Sequence, residues 1–117
     1  MTQNENPEKI FLEWKENSEE IARYFKDRDR KRAREPMVYF LNRFLYVLYV
    51  VNGQRATEQE LKNWKDHLKG FKHLPVNAID RLIFIDEQPD HYQSFIQLSE
   101  LFSEWEKKSV ILFRRST

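Results

Sequence analysis

Six of the nine residues 26–34 are cationic: Lys26, Arg28, Arg30, Lys31, Arg32 and Arg34 stand against Asp27 and Asp29, a local net +4 in a chain whose total is +1. Clustered Lys and Arg release counterions from nucleic acid, and an Arg guanidinium can fork onto two phosphate oxygens. Tyr24 and Phe25 stand just before the cluster, where they would stack on bases. The chemistry on offer is binding of backbone phosphates without reading sequence. Two features oppose it: acids interleave with the cations, and a pI of about 8.0 is below what a committed nucleic-acid domain shows. The competing reading is a solvated face, or one that pairs with residues 86–106, which hold six acids and no Lys or Arg.

Other reactive groups are sparse. His67, His73 and His91 have neither i,i+4 spacing nor a zinc-protease frame, so they read as surface or cap residues. The carboxylate pairs Glu19/Glu20, Glu58/Glu60 and Glu100/Glu104 read as capping and solvation, with no sign of a shifted pKa. A hydrolase using His91 with Asp86 or Asp90 is the one acid–base arrangement to be had. Two glycines in the whole chain exclude the usual nucleotide cradles, and the absence of cysteine excludes thiol chemistry and disulfides. The expectation is no enzyme, no metal site and no cofactor. Residues 75–101 mix apolar positions with Arg81, His91, Tyr92, Ser94 and Gln97, which would either line a groove between the last two helices or serve as caps and a helix–helix corner. Residues 110–113, containing Ile111 and Phe113, either pack on the body or offer themselves to a protein partner.

The elements that must position these groups are helical. The chain has 117 residues, enough for one domain, and its four prolines and two glycines are too few for the turns of a sandwich or barrel. Thirteen of the fifteen residues 37–51 are apolar or aromatic, interrupted only by Asn42 and Arg43. Such a helix is expected to be buried all round. It falls short of the ~20 residues a membrane span needs and carries Arg43. The amino terminus lacks a signal-peptide pattern, so the chain reads as cytoplasmic and not membrane-bound.

Asn6-Pro7 predicts a first helix, with Ile10, Phe11 and Trp14 on one face, ending near Asn17. Ser18 predicts the start of a second, carrying Ile21, Ala22, Tyr24 and Phe25. Residues 26–35 read as a charged helical extension or connector, and Glu35-Pro36 as a break before the central helix. Asn52-Gly53 ends that helix, with Gly53 at positive φ. Thr57 to Glu60 spells a capping box for a helix running to Gly70. Asn77 and Asp90 predict caps for the last two helices, and Trp14, Trp64 and Trp105 read as core. The fold expected is all-α: one domain, residues 1–117, of six helices around the buried helix 37–51, with residues 1–6 disordered.

The motifs Val50-Val51-Asn52-Gly53, Pro75-Val76-Asn77, Arg81-Leu82 and Phe95-Ile96-Gln97-Leu98-Ser99-Glu100-Leu101, together with Trp64, resemble the YpoC-like family of small helical proteins from Firmicutes. The resemblance covers residues 40–107 and leaves the basic segment outside. It implies a cytoplasmic bacterial protein and brings no catalytic residues with it. Genes of this family tend to lie near genes for replication initiation and base-excision repair, which inclines the expectation towards DNA-linked work. Two functions follow. One is a non-enzymatic protein-interaction module using Arg81, His91, Tyr92, Ser94, Gln97, Ile111 and Phe113, with a homodimer as a variant. The other is an accessory nucleic-acid binder using the cations of residues 26–34.

Overall fold

Asn6 and Pro7 do open a helix, but it does not stop at Asn17. The structure, a computed structural model, describes residues 5–116. Helix α1 runs unbroken over Pro7–Lys26. Asn6 Oδ1 accepts from the Glu8 N–H at 2.9 Å, and Pro7 gives up a donor the first turn could not use. Asn17 is no breaker, because its side chain turns back to donate to the Glu13 carbonyl. The apolar stripe Ile10, Phe11, Trp14, Ile21 therefore stays on one continuous face.

Pro36 is likewise inside a helix rather than before one: α2 spans Arg30–Val51. The helix is already nucleated upstream, where Asp29 Oδ1 accepts from the Arg32 N–H at 3.1 Å. Ala33 and Met37, both fully buried, hold the backbone on either side of Pro36. The carbonyl of Arg32, which Pro36 cannot serve, belongs to a solvent-exposed residue.

The corner between α1 and α2 is a Schellman motif. Asp29 N–H donates to Tyr24 O at 2.7 Å and Arg28 N–H to Phe25 O at 3.0 Å. Arg28 takes the left-handed position, with φ 58. The far end of α2 closes in the same way. Gln54 N–H donates to Tyr49 O at 2.9 Å and Gly53 N–H to Val50 O at 3.1 Å, with Gly53 at φ 71.

The single helix expected over 57–70 is divided into α3 (Glu58–Leu61), α4 (Trp64–His67) and a 3₁₀ turn over Leu68–Gly70. Thr57 caps as predicted, accepting from Glu60 N–H at 3.2 Å. The Glu60 carbonyl, however, accepts from the Asn63 N–H and from the Tyr49 hydroxyl, so it does not propagate the α-helical ladder. Tyr49 Oη also lies 2.8 Å from His67 Nδ1, which ties the second short helix to the end of α2. His67 is thus half-buried against the core, not a surface residue. Burial, with the Glu60 charge adding to it, pushes the Tyr49 hydroxyl up to about 12.

Helix α5 covers Ala78–Glu87 and α6 covers Tyr92–Ser116, so residues 110–113 continue the last helix. Asn77 precedes α5 in the left-handed region, φ 55, and its side chain makes no cap bond. His91, not Asp90, caps α6: its Nδ1 accepts from the Gln93 N–H at 3.2 Å and its carbonyl from Ser94 and Phe95.

The result is an all-α bundle with six α-helices and no strand among the described residues. α1, α2 and α6 pack mutually, and α5 closes over α2 and α6. Residues 44–51 are almost wholly enclosed, whereas Val38, Tyr39 and Asn42 leave one face of the earlier turns exposed. Phe102 is the aromatic centre, stacked on Trp14 at 4.6 Å and edge-on to Phe11 and Phe44. All three tryptophans are buried. Of the stretch expected to be disordered, residues 1–4 lie outside the described residues; Glu5 is paired with Arg43 at 2.8 Å and its N–H donates to Tyr46 Oη. No helix among the described residues is long and apolar enough to cross a membrane.

Candidate functional site

The cations of residues 26–34 span the α1–α2 corner and differ in what they pair with. Arg30 Nε donates to the Asp90 carbonyl at 3.1 Å, and Arg30 and Arg34 both reach the Asp90 carboxylate, at 3.5 and 3.8 Å. Asp90, freed from capping, is the counter-ion that ties the start of α2 to the start of α6. Arg32 pairs with Asp29 at 3.6 Å and lies over the Tyr24 ring. Lys26, Arg28 and Lys31 form no ion pair among the described residues. Pairing with the acidic segment is therefore partial: two of six cations, Arg30 and Arg34, reach it through Asp90, and Arg32 pairs within its own segment.

The residues proposed for protein contact divide sharply. Arg81 is fully engaged between α5 and α6. Its Nε donates to Gln97 Oε1 at 3.0 Å, Nη1 to the Val76 carbonyl at 3.1 Å, and the guanidinium forks onto Glu104 at 2.8 and 3.1 Å. The Arg81 hydrogen bond holds the Glu104 carboxyl below its ordinary value, so this carboxylate is shifted where none was expected. Ser94 is buried, its hydroxyl donating to the Gln88 carbonyl at 2.5 Å. His91 is a cap, and Phe113 packs on the core. Only Tyr92 and Ile111 present large apolar surface. Tyr92 lies against Phe95 and Phe25. Asp86 pairs with Lys65 at 3.2 Å, Asp90 with Arg30, and His91 Nδ1 accepts from Gln93 N–H; no hydrogen bond joins His91 to either acid among the described residues. No group of three or more His, Asp or Glu among the described residues could hold a metal.

Ile111 has a neighbour that the periodicity of α1 did not single out. Leu12, 56% exposed, and Ile111, 47% exposed, line one groove of about 690 Å³ between α1 and α6. Val110 completes its apolar floor. The helices run antiparallel here, as two ion pairs show: Glu8 to Arg114 at 2.7 Å and Lys15 to Glu106 at 2.6 Å. Lys9 and Lys107 also stand on the rim. The available signal was Leu12 itself, a large apolar residue on the opposite side of the helical wheel from Ile10, Phe11 and Trp14.

The motifs that suggested a family also find their reasons in this geometry. Asn52 Nδ2 donates to the Leu48 and His73 carbonyls, and its Oδ1 accepts from the His73 N–H at 2.8 Å, so it clamps the loop before α5 to the end of α2. Gly53 supplies the left-handed corner, and Arg81 locks the Val76 turn to α6. These positions build the fold and leave a small helical bundle with an apolar surface groove. The chain belongs to the YpoC-like family: the model described as YpoC-like protein matches residues 4–116, so the likeness extends across the basic segment as well. No curated protein and no solved structure is matched.

Proposed function

We propose that this chain is a cytoplasmic, non-enzymatic module that binds a protein partner through the groove between α1 and α6. One observation carries the reading: Leu12 and Ile111, on two different helices, expose apolar side chains into the same groove. Scattered exposed apolar residues are ordinary, but two that converge on one concavity mark a place where water is easily displaced. The polar candidates Arg81, Ser94 and Gln97 support the module from within, since they fix α6 against α5 and so fix one wall of the groove.

The test is selection of phage-displayed random peptides on the intact chain. A pool that binds the wild type and not Leu12→Ser/Ile111→Ser supports docking at the groove. A pool that binds both alike overturns it. Both substitutions fall on exposed side chains, so the variant should keep the wild-type circular dichroism spectrum.

A second reading, binding of nucleic-acid phosphates, is favoured by Lys26, Arg28 and Lys31, which form no ion pair among the described residues, and by the concavity that Lys31 shares with Tyr24. Fluorescence anisotropy with labelled single- and double-stranded DNA and RNA across salt concentrations separates the two. Phosphate binding must weaken steeply with salt and vanish when Lys26, Arg28 and Lys31 become Gln. Docking at the groove survives both changes.

A further inference from the structure

We propose that the α1/α6 groove receives a short amphipathic helix of the partner, bearing an acidic residue at each end of its apolar stripe. This rests on the docking function above and names the class of partner. The length of the groove sets the first requirement. The Glu8–Arg114 and Lys15–Glu106 pairs bridge the two helices at either end of the apolar floor. Seven residues of α1 separate Glu8 from Lys15, about 10.5 Å of helix rise. Two turns of a third helix span nearly the same distance, about 11 Å, and present apolar side chains at i, i+3 or i+4, and i+7 along one stripe. Laid between α1 and α6, such a helix meets Leu12, Val110 and Ile111 as one helix packs on a pair of others.

Charge sets the second requirement. The two bridges are internally neutral, but each has a lysine beside it that they do not neutralise. Lys107, next to Glu106, forms no ion pair among the described residues. Lys9, next to Glu8, reaches only Glu5, at 3.9 Å, with its side chain 75% exposed. One ammonium group therefore stands over each end of the apolar floor. A partner with a carboxylate at each end completes both; a second copy of this chain would set the same cationic rim against itself.

The experiment uses labelled helix-favouring peptides of about 15 residues with three leucines at i, i+4 and i+7, differing only in Glu or Lys at the two flanks. The Glu-flanked peptide is expected to bind the intact chain and gain helical circular dichroism, with the Lys-flanked peptide roughly tenfold weaker at low salt. Lys9→Glu/Lys107→Glu should reverse that order, and Leu12→Ser/Ile111→Ser should abolish binding of both. Equal affinities, an order unchanged by the charge reversal, or binding without helix gain would overturn the inference. So would the absence of binding to either peptide. If in that case the phage pool still distinguishes the wild type from Leu12→Ser/Ile111→Ser, the docking function stands and only the class of partner is wrong. If the chain instead sediments as a dimer that the serine variant disperses, the occupant is a second copy and this inference falls.

Discussion

Arg28 carries two readings that the structure pulls apart. As a cation it was a candidate phosphate ligand; as a backbone it occupies the left-handed residue of the corner closing α1, φ 58. Gly53 fills the equivalent place after α2 at φ 71 without a Cβ to accommodate. Arg28→Gly should therefore raise unfolding stability by about 1 kcal/mol, read from denaturant midpoints, while leaving α1 intact. The same comparison explains what was legible here. Glycine after an apolar helix announces its end; arginine in that role announces nothing, so residues 26–35 read as a charged helical extension or connector with no corner placed in it. Ser109 makes a second test. It is fully buried on the core face of α6, and its hydroxyl has no partner among the described residues. Ser109→Ala should stabilise the fold by about 1 kcal/mol, visible as a rise of a few degrees in Tm, because an unsatisfied buried hydroxyl is removed with little change in volume.

At the scale of elements, the apolar stripes and the cap at Asn6 were readable, and so were the central helix and its glycine stop. What was not readable depended on partners distant in sequence. Pro36 looked like a break because its local cost is plain, whereas the upstream cap at Asp29 and the burial of Ala33 that offset it are tertiary facts. The Thr57 capping box was correct, yet Tyr49 takes the Glu60 carbonyl and shortens the helix it starts. Asp90 looked like a cap and serves instead as counter-ion to Arg30 and Arg34. The candidate site fared unevenly for the same reason: Ile111 was named, but its companion Leu12 lies ninety-nine residues away in the chain. Two predictions belong at this scale. Asn52→Ala leaves the His73 N–H without its acceptor and unties the loop before α5; a loss of about 2 kcal/mol is expected in urea unfolding. Arg81→Ala should cost about 1–2 kcal/mol at neutral pH, since it frees Gln97, the Val76 carbonyl and Glu104 together. The folded pKa of Glu104 lies below its ordinary 4.5, so its share of that stability is complete above 4.5 and disappears as pH falls through the folded value. The gap in Tm between wild type and Arg81→Ala should accordingly narrow on acidification below 4.5, and only modestly, because the Glu104 side chain is 44% exposed.

For the whole molecule, the organising fact is that α2 touches α1, α6, α5 and α3 while its last two turns are almost wholly enclosed. Native-state hydrogen exchange should show the slowest amides within residues 44–51, opening only with global unfolding, and the fastest helical amides in α3, which buries no residue. Phe102 joins the first helix, the second and the last through one aromatic cluster. Because a chain is made from its amino terminus, α1 and α2 are complete well before this cluster can assemble. Until α6 follows, Trp14, Phe40 and Phe44 face water where Phe102 will stand, and the hairpin of α1 and α2 has a bare aromatic flank. On the ribosome the newborn protein is thus a sticky half-bundle awaiting its closing helix, and its greatest exposure to chaperones falls between the completion of α2 and the emergence of α6.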